Sequence, residues 1–435
     1  MRVNILGLGY VGCVSAACMA KSGHTVTGID INDAKINLIS QGKSPIIEPR
    51  LQELLKEGID TGRLRATKDQ LPDADVSIVC VGTPSKDNGS LELVYIERVA
   101  RQIGEYLKKY DQYHVVNIRS TVLPGTIETV ILPILEEASG KKVGKDFGLC
   151  MNPEFMREGT SVEDYYNPPF TVIGEWDEKS GDTVRRLYEG VEAPVRKTTI
   201  RTAEMIKYAC NAFHALKIAF SNEVGNICKK VGVDSHEVMD IFCMDKKLNI
   251  SSYYMKPGFA FGGSCLPKDV RALMYKAKTV DLDLPVLNAI LNSNNNQVNV
   301  AYRMIANTGK KKIGMFGLSF KPFSDDLRES PMVELAEKLI GKGYEVMIYD
   351  HEVSLSRIFG ANKQYIDQVI PHVSSLIIEK PRDLASRAEV VVIAKKSKAS
   401  EEALEYLGEG TTVIDLVRIP NNITMKGDHY EGICW

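Results

Sequence analysis

Cys265 stands in the stretch Phe259-Ala-Phe-Gly-Gly-Ser-Cys-Leu-Pro-Lys-Asp269, after two glycines and a serine and just before Pro267, Lys268 and Asp269. A thiol on a Gly-rich turn is open to a small molecule, and a basic neighbour favours the thiolate, the nucleophilic form. The competing reading is a small buried hydrophobe, as most free cysteines are. The nine cysteines (Cys13, Cys18, Cys80, Cys150, Cys210, Cys228, Cys243, Cys265 and Cys434) are odd in number and scattered, with no CxxC pair. That argues against a disulfide framework and a zinc site, and it suits a reducing cytoplasm.

A second set of residues points to a dinucleotide. Gly7-Leu-Gly-Tyr-Val-Gly12 is a GxGxxG fingerprint, and Asp30 ends the next apolar run. The glycines serve a tight turn, close approach to pyrophosphate and helix–strand packing, and the pyrophosphate sits on a helix N-terminus. Asp30 accepts hydrogen bonds from the adenosine ribose and repels a 2′-phosphate, which favours NAD over NADP. Thr83 and Thr121 fall at strand ends, where open parallel sheets bind ligands; capping and turn formation are their alternative roles. Glu154 and Glu158 lie in the loop Asn152–Glu158, as site residues or as solvated surface. Lys207, Asn211 and His214, spaced i, i+4, i+7, share one helix face among mostly apolar neighbours.

The elements that position these residues alternate. Strands are expected at Arg2–Gly7, His24–Asp30, Asp75–Val81, Tyr113–Arg119, Phe147–Met151 and Phe170–Gly174, with a helix from Cys13 to Ser22 and another opening at Pro124. Residues 201–231 hold no proline and one glycine, and they read as a single long helix. Helices follow at 234–245, 268–279 and 285–307. The last contains Asn292, Asn294, Asn295, Asn296 and Gln297, poor helix formers for which the sequence offers only tertiary contacts as a reason. Strands return at Lys312–Gly317, Tyr344–Asp350, Val390–Ile393 and Thr412–Asp415, and Ser330-Pro331 reads as an N-cap with an N1 proline. The second half lacks GxGxxG, so a nucleotide other than a dinucleotide is expected there. Lys321 and Arg328 are phosphate-binding candidates or surface charge. The expected fold is α/β: two Rossmann-like doubly wound parallel-sheet domains, residues 1–200 and 309–435, joined by a central long-helix domain, 201–308, that carries Cys265.

Composition bounds the rest. The chain has 435 residues, 44% hydrophobic and 25% charged, as in a globular protein of two or three domains. A net charge of -2 gives no reason to expect nucleic acid or an anionic membrane as partner. No apolar run approaches a membrane span, and the N-terminus reads as strand and glycine turn rather than signal peptide.

Several blocks resemble the UDP-glucose/GDP-mannose dehydrogenase family over essentially the whole length: Gly7–Gly12, Val81-Gly-Thr-Pro84, Ser120-Thr-Val-Leu-Pro-Gly125, Asn152-Pro-Glu-Phe155, Glu204-Met-Ile-Lys-Tyr208 with Asn211, Phe261–Asp269, and Gly317–Lys321 with Asp326–Pro331. Within the family, Lys43–Pro49, Lys247–Tyr254 and Gly432–Trp435 are similar to the GDP-mannose 6-dehydrogenases of alginate synthesis. The resemblance implies a four-electron oxidation of a sugar C6 alcohol to a carboxylate with NAD, through a Cys265 thiohemiacetal and thioester. It assigns Lys207 and Asn211 to stabilising the polarised oxygen, and Glu154 or Asp269 to proton transfer or to orienting water. It places Tyr10, Val11, Asp30, Lys35, Thr83, Thr121, Lys268 and Arg328 on NAD. Glu158, Lys207, Asn211, His214, Asn222, Tyr253, Tyr254, Lys256, Phe259, Gly262 and Lys321 fall on the nucleotide sugar, GDP-mannose by that likeness. Lys256 stands where the GDP-mannose enzymes are expected to carry arginine, and it lacks bidentate phosphate recognition. The resemblance also implies a homodimer or higher homo-oligomer built on the long helix, with residues 250–262 reaching the partner's site, and no metal. UDP-glucose and UDP-N-acetylmannosamine are the alternative substrates. A two-electron hydroxyacid dehydrogenase needs neither a reactive cysteine nor the second α/β half, and a nucleotide sensor does not explain Cys265 beside Lys268 and Asp269.

Overall fold

A computed structural model describes the chain except for residues 69–70, 85, 87, 89, 158, 252–253, 255–256, 264–265, 320–326, 328, 352, 354–375, 420–428 and 435, and the side chains of Asp269, Ala399 and Ala403. It divides into two compact units, Met1–Ala215 and Leu216–Trp435.

The first unit is built on eight strands: β1 (Arg2–Leu6), β2 (Thr25–Ile29), β3 (Leu64–Thr67), β4 (Val76–Val79), β5 (His114–Ile118), β6 (Phe147–Met151), β7 (Thr171–Glu175) and β8 (Val195–Thr198). They are ordered β3-β2-β1-β4-β5-β6-β7-β8. The first six are parallel in the Rossmann order. The last pair reverses direction, because β7 joins β6 antiparallel through Cys150↔Glu175 and Met151↔Gly174. The helices are α1 (Tyr10–Lys21), α2 (Asp33–Ser40), α3 (Leu51–Asp60), α4 (Val94–Lys109), α5 (Leu132–Ser139), α6 (Ser161–Tyr166), α7 (Glu178–Arg185) and the start of α8 (Ile200–Val231). Alternate strand residues feed two cores, as the pleat requires. Val3, Ile5, Val76 and Ile78 pack with Cys13, Val14 and Ala17 of α1. Leu6, Val79, Val116 and Ile118 pack with Ile96, Ala100, Ile103 and Leu107 of α4. Both faces are covered, so the strands are near-continuous apolar runs.

The helix expected at Pro124 begins later. Pro124 lies in a turn closed by Thr126 N donating to Leu123 O at 3.0 Å, and a π-helical turn, Ile127–Ile131, then leads into α5. Glu204 of α8 is the reason. Its carboxylate, fully buried, accepts from Gly125 N at 2.6 Å and Ile127 N at 3.0 Å, so the cap comes from a distant helix rather than from the local sequence.

The second unit carries β9 (Lys312–Phe316), β10 (Glu345–Tyr349), β11 (Val390–Ile393), β12 (Thr412–Asp415) and β13 (His429–Gly432), all parallel, in the order β10-β9-β11-β12-β13. Counted within the unit this is the 2-1-3-4-5 flavodoxin-like order rather than the dinucleotide order. The rest of α8 joins it, with α9 (Ser235–Met244), α10 (Leu266–Thr279), α11 (Pro285–Asn307) and α12 (Pro331–Gly341). Ser330 does cap α12, accepting from Met332 N, with Pro331 at the first turn. Glu223 of α8 repeats the device of Glu204: it accepts from Val286 N at 2.8 Å and Leu287 N at 3.0 Å, closing the start of α11.

Glu204→Ala leaves two buried amides without acceptors and is expected to destabilise the protein by about 1–3 kcal/mol. A thermal or urea melt beside wild type checks this; an unchanged midpoint would refute the capping role.

Candidate active site

The glycine fingerprint follows β1 directly. Gly7 turns the chain at φ +97°, and a Cβ on Gly12 would lie 1.9 Å from the Gly7 carbonyl oxygen, so helix α1 packs as close as it does only with glycine there. Gly9 is different, since a Cβ on it would meet nothing within 4 Å. Its side of the loop is open, and no side chain caps α1. The first-turn N–H groups of Tyr10, Val11 and Gly12 are therefore free to meet a diphosphate. Asp30, at the end of β2, accepts from Leu8 N at 2.7 Å and Asn32 N at 2.9 Å, with Lys35 Nζ 3.8 Å away. A cavity of about 220 Å³ beside it has apolar walls from Ile29, Ile31, Val81 and Val99, with Asp30, Lys68 and Arg98 on its lining as charged groups. The groups present fit NAD: amides for pyrophosphate, an acid for ribose, apolar walls for adenine, with Lys68 and Arg98 as further lining.

Thr83 and Thr121 meet beyond the strand ends, Thr83 Oγ1 donating to Thr121 O at 2.7 Å. Ser120 Oγ donates to Val81 O at 2.6 Å and ties the same two strand ends. Tyr10 has a further role. Its hydroxyl donates to Glu48, which also accepts from Gly159 N and Ser161 N at 2.8 Å each and so starts α6. Burial pushes the Glu48 carboxyl up, but the hydrogen bonds from Tyr10 and the backbone outweigh it and hold it below its usual range. Glu48 thereby ties Tyr10, at the end of the glycine turn, to Gly159 and Ser161, a few residues after Glu154. Its sequence signal was the Lys43–Pro49 block alone.

Glu154 and Lys207, linked in sequence only by resemblance, form a buried ion pair at 3.0 Å. The second Glu154 oxygen accepts from Met156 N at 2.7 Å, and Lys207 Nζ also stands 5.5 Å from the centre of the Phe155 ring. Asn211 and His214 follow on α8, both exposed. Behind Glu154 lies a network that sequence reading missed. Arg119, 5% exposed, donates to Asn152 Oδ1 at 2.8 Å and to Tyr188 Oη at 2.7 Å; Tyr188 also donates to Asn152, and Asn152 donates to Val172 O at 2.8 Å.

In the second unit, α10 starts at Leu266, the residue after Cys265 in the chain. Cys265 lies outside the described residues, as do Glu158, Tyr253, Lys256, Lys321 and Arg328 and the Asp269 side chain. Lys268 is on the exposed first turn of α10, Tyr254 and Asn222 are exposed, Gly262 is buried, and Phe259 packs on the unit's core. The polar run of α11 now has a reason. Asn294 accepts from Phe261 N and donates to Phe261 O, each at 2.8 Å, and Gln297 donates to Gly258 O at 2.7 Å. These amides replace sheet partners for the irregular backbone that leads to Cys265. Arg271 of α10 grips Glu329 through both carboxylate oxygens, at 2.9 and 2.5 Å, and Glu329 is held at φ +50°. Elsewhere burial pushes the thiols of Cys13, Cys18, Cys80 and Cys150 up to about 12, which removes them as nucleophiles.

Asp350 stands in the second sheet where Asp30 stands in the first. Leu318 N and Ser319 N donate to it at 2.7 and 3.0 Å, matching Leu8 N on Asp30. Here Lys395 Nζ, 5% exposed, closes on both oxygens at 3.0 and 3.1 Å. Burial raises the Asp350 carboxyl; Lys395 and the two amides outweigh it and hold it low. An acid engaged in this way has nothing left for an adenosine ribose.

A Rossmann sheet with a GxGxxG turn after β1 and an acid at the end of β2, and a largely buried lysine–glutamate pair beyond its strand ends, fit an NAD-dependent dehydrogenase. Residues 1–192 match the NAD binding domain of the UDP-glucose/GDP-mannose dehydrogenase family, 201–296 its central domain and 314–421 its UDP binding domain; the chain belongs to this family. It is 53% identical over 438 residues to a GDP-mannose 6-dehydrogenase of Pseudomonas syringae pv. tomato, covering 100% of both chains. It is 39% identical over 357 residues to a UDP-glucose 6-dehydrogenase of Bacillus subtilis, covering 80% of this chain and 79% of that one. The solved ternary complex of GDP-mannose dehydrogenase from Pseudomonas aeruginosa is similar at a TM-score of 0.96 and 51% identity, with 100% of both chains covered. Among the described residues no cluster suits a metal ion, and no helix is long and apolar enough to cross a membrane.

Lys395→Met strands the Asp350 carboxylate and is expected to cost about 3–5 kcal/mol, whereas Lys395→Met with Asp350→Asn recovers most of it. Because the folded carboxyl titrates low, its contribution is present above the unfolded carboxylate value and is lost as pH falls through the folded one. Urea melts from pH 7 to pH 3 check both; a single variant as stable as wild type would refute the pairing.

Proposed function

We propose that the chain oxidises GDP-mannose at C6 to GDP-mannuronate, consuming two NAD⁺, as a supplier of alginate precursor. The observation that carries this reading is the buried Lys207–Glu154 pair beyond the strand ends of the NAD-type sheet, in a chain that aligns end to end with GDP-mannose 6-dehydrogenases. NAD⁺, held by Gly7, Gly9, Gly12, Asp30, Thr83 and Thr121, with Tyr10, Val11, Lys35, Lys268 and Arg328 as further contacts, supplies the acceptor for each hydride lost from C6.

The residues of the chain do the rest. The C6 alcohol loses a hydride from carbon and a proton from oxygen and becomes an aldehyde. The Cys265 thiolate adds to that carbon, and the oxygen takes a proton, giving a thiohemiacetal. Loss of a second hydride and proton leaves a thioester; water attacks it, the C–S bond breaks, and carboxylate and thiolate are released. The sum is R–CH₂OH + 2 NAD⁺ + H₂O → R–COO⁻ + 2 NADH + 3 H⁺. Lys207 and Asn211 stabilise the oxygen as charge builds on it. Glu154, paired with Lys207, takes the proton from the attacking water, with Asp269 as the second carboxylate for proton transfer or for orienting water. The nucleotide sugar is assigned to Glu158, His214, Asn222, Tyr253, Tyr254, Lys256, Phe259, Gly262 and Lys321. We assign the cofactor to residues 1–200, the dimerising helices and nucleophile to 201–308, and the nucleotide sugar to 309–435.

The middle of α8 supports a homodimer. Ala209, Ala212 and Ala215 are exposed, and so are Phe213, Leu216 and Ile218 at 39%, 49% and 63%. Exposed apolar surface of this kind marks a protein contact.

The test is NADH formed per GDP-mannose consumed. Two is expected. One would indicate a simple alcohol dehydrogenase, and turnover of UDP-glucose with none of GDP-mannose would overturn the substrate. Cys265→Ser is expected to abolish carboxylate formation; full turnover in that variant would refute the thioester. For the assembly, Leu216→Glu with Ile218→Glu should shift the mass measured by light scattering towards the monomer, and an unchanged mass would refute the α8 contact.

A further inference from the structure

A buried guanidinium ordinarily faces a carboxylate, because an isolated ion in a low-dielectric interior is costly. Arg119 forms no ion pair among the described residues; the carboxylate that acts on it electrostatically is that of Glu154. It is 5% exposed at the end of β5, its Nη1 is held by Asn152 and Tyr188, both neutral and themselves buried, and its Nε has no hydrogen-bond partner. It lines a cavity of about 30 Å³ together with Asn152, Glu154, Tyr165 and Tyr188. Asn152, two residues before Glu154, is anchored at both ends of its amide, by Arg119 and by Val172 O. Arg119 thus fixes the start of the Glu154 loop and places a permanent positive charge behind the same carboxylate that Lys207 grips from α8.

The other ionisable groups around this cavity do not compete. Asp164 is held by Arg157 at 2.7 Å. The Cys80 thiol, at the end of β4, is pushed up to about 12 by burial, and the Tyr165 hydroxyl is pushed well above its usual value for the same reason; both are neutral.

We propose that Arg119 is a positioning residue for Glu154: through Asn152 it fixes the start of the loop and so aims the carboxylate at the water-consuming step. The inference rests on the role of Glu154 given above. Loss of Arg119 should therefore slow turnover and leave binding of the nucleotide sugar alone.

The experiment is kcat and KM for GDP-mannose in wild type, Arg119→Met, Arg119→Lys, Tyr188→Phe and Glu154→Gln, each checked for folding by a thermal melt. Arg119→Met is expected to lower kcat by about 10- to 100-fold, the cost of a misplaced catalytic group, with KM for GDP-mannose within about twofold of wild type. Arg119→Lys keeps a cationic donor for Asn152 and should recover part of the loss; Tyr188→Phe removes only one hydrogen bond of the network and should lower kcat far less. If Arg119→Met does not fold, Asn152→Ala, which cuts the same link from the other side, carries the comparison. A folded variant with the wild-type kcat, or one whose KM rises as much as its kcat falls, would overturn the inference. Glu154→Gln separates the two layers. If it keeps the wild-type kcat, the role of Glu154 is wrong; if it loses turnover while the Arg119 variant does not, only the role of Arg119 is wrong.

Discussion

Two carboxylates on one helix hold the architecture in place. Glu204 and Glu223 are both buried on α8, and each accepts two backbone N–H groups at the start of another helix, Gly125 and Ile127 before α5 and Val286 and Leu287 in α11. A helix start carries unsatisfied N–H groups and a partial positive charge, so a buried anion is stabilised there while it solves the capping problem. Each contact lies within one unit, and α8 is common to both. The consequence for chemistry is direct in the first unit: Glu204 sets α8 against the Ser120–Gly125 loop, and Lys207 is three residues further on.

The two sheets use one device for opposite purposes. In each, an acid at the end of the second strand accepts an amide from the turn after the first. Asp30 is left with Lys35 at 3.8 Å and an open slot beside it, whereas Asp350 is closed by Lys395 on both oxygens. The first acid is available to a ribose hydroxyl. The second is spent on holding its own turn, which suits a unit whose family counterpart binds a different nucleotide. Lys395 is buried and reaches both oxygens of its acid, whereas Lys35 is about a third exposed and stands 3.8 Å from one.

Around Glu154 the protein gathers cations and neutral donors. Lys207 meets it from α8, Arg119 stands behind it, and the Tyr10–Glu48 contact ties its loop to the glycine turn. In the second unit Asn294 and Gln297 hold the segment 258–261, and Arg271 holds Glu329. Poor helix formers persist in α11 because their side-chain amides serve a neighbouring irregular backbone. Local helix propensity is sacrificed for satisfied polar groups.

Much of the fold was legible in the chain. Period and punctuation located β1, β2, β6, β9 and β11 and the long helices α8 and α11 to within a residue or two, because apolar strands between glycine turns and an unbroken helical stripe are local signals. The glycine fingerprint with Asp30 was readable for the same reason: both fall within one βαβ unit. The antiparallel turn at β7, the late start of α5, the Arg119–Asn152–Tyr188 network, the Tyr10–Glu48 contact and the closure of Asp350 by Lys395 were not. Each depends on groups 23 to 79 residues apart whose meeting is set by sheet order and helix packing. A lone Arg119 or Lys395 in a sequence looks like any surface cation; only burial, and the partners that burial imposes, give it a role.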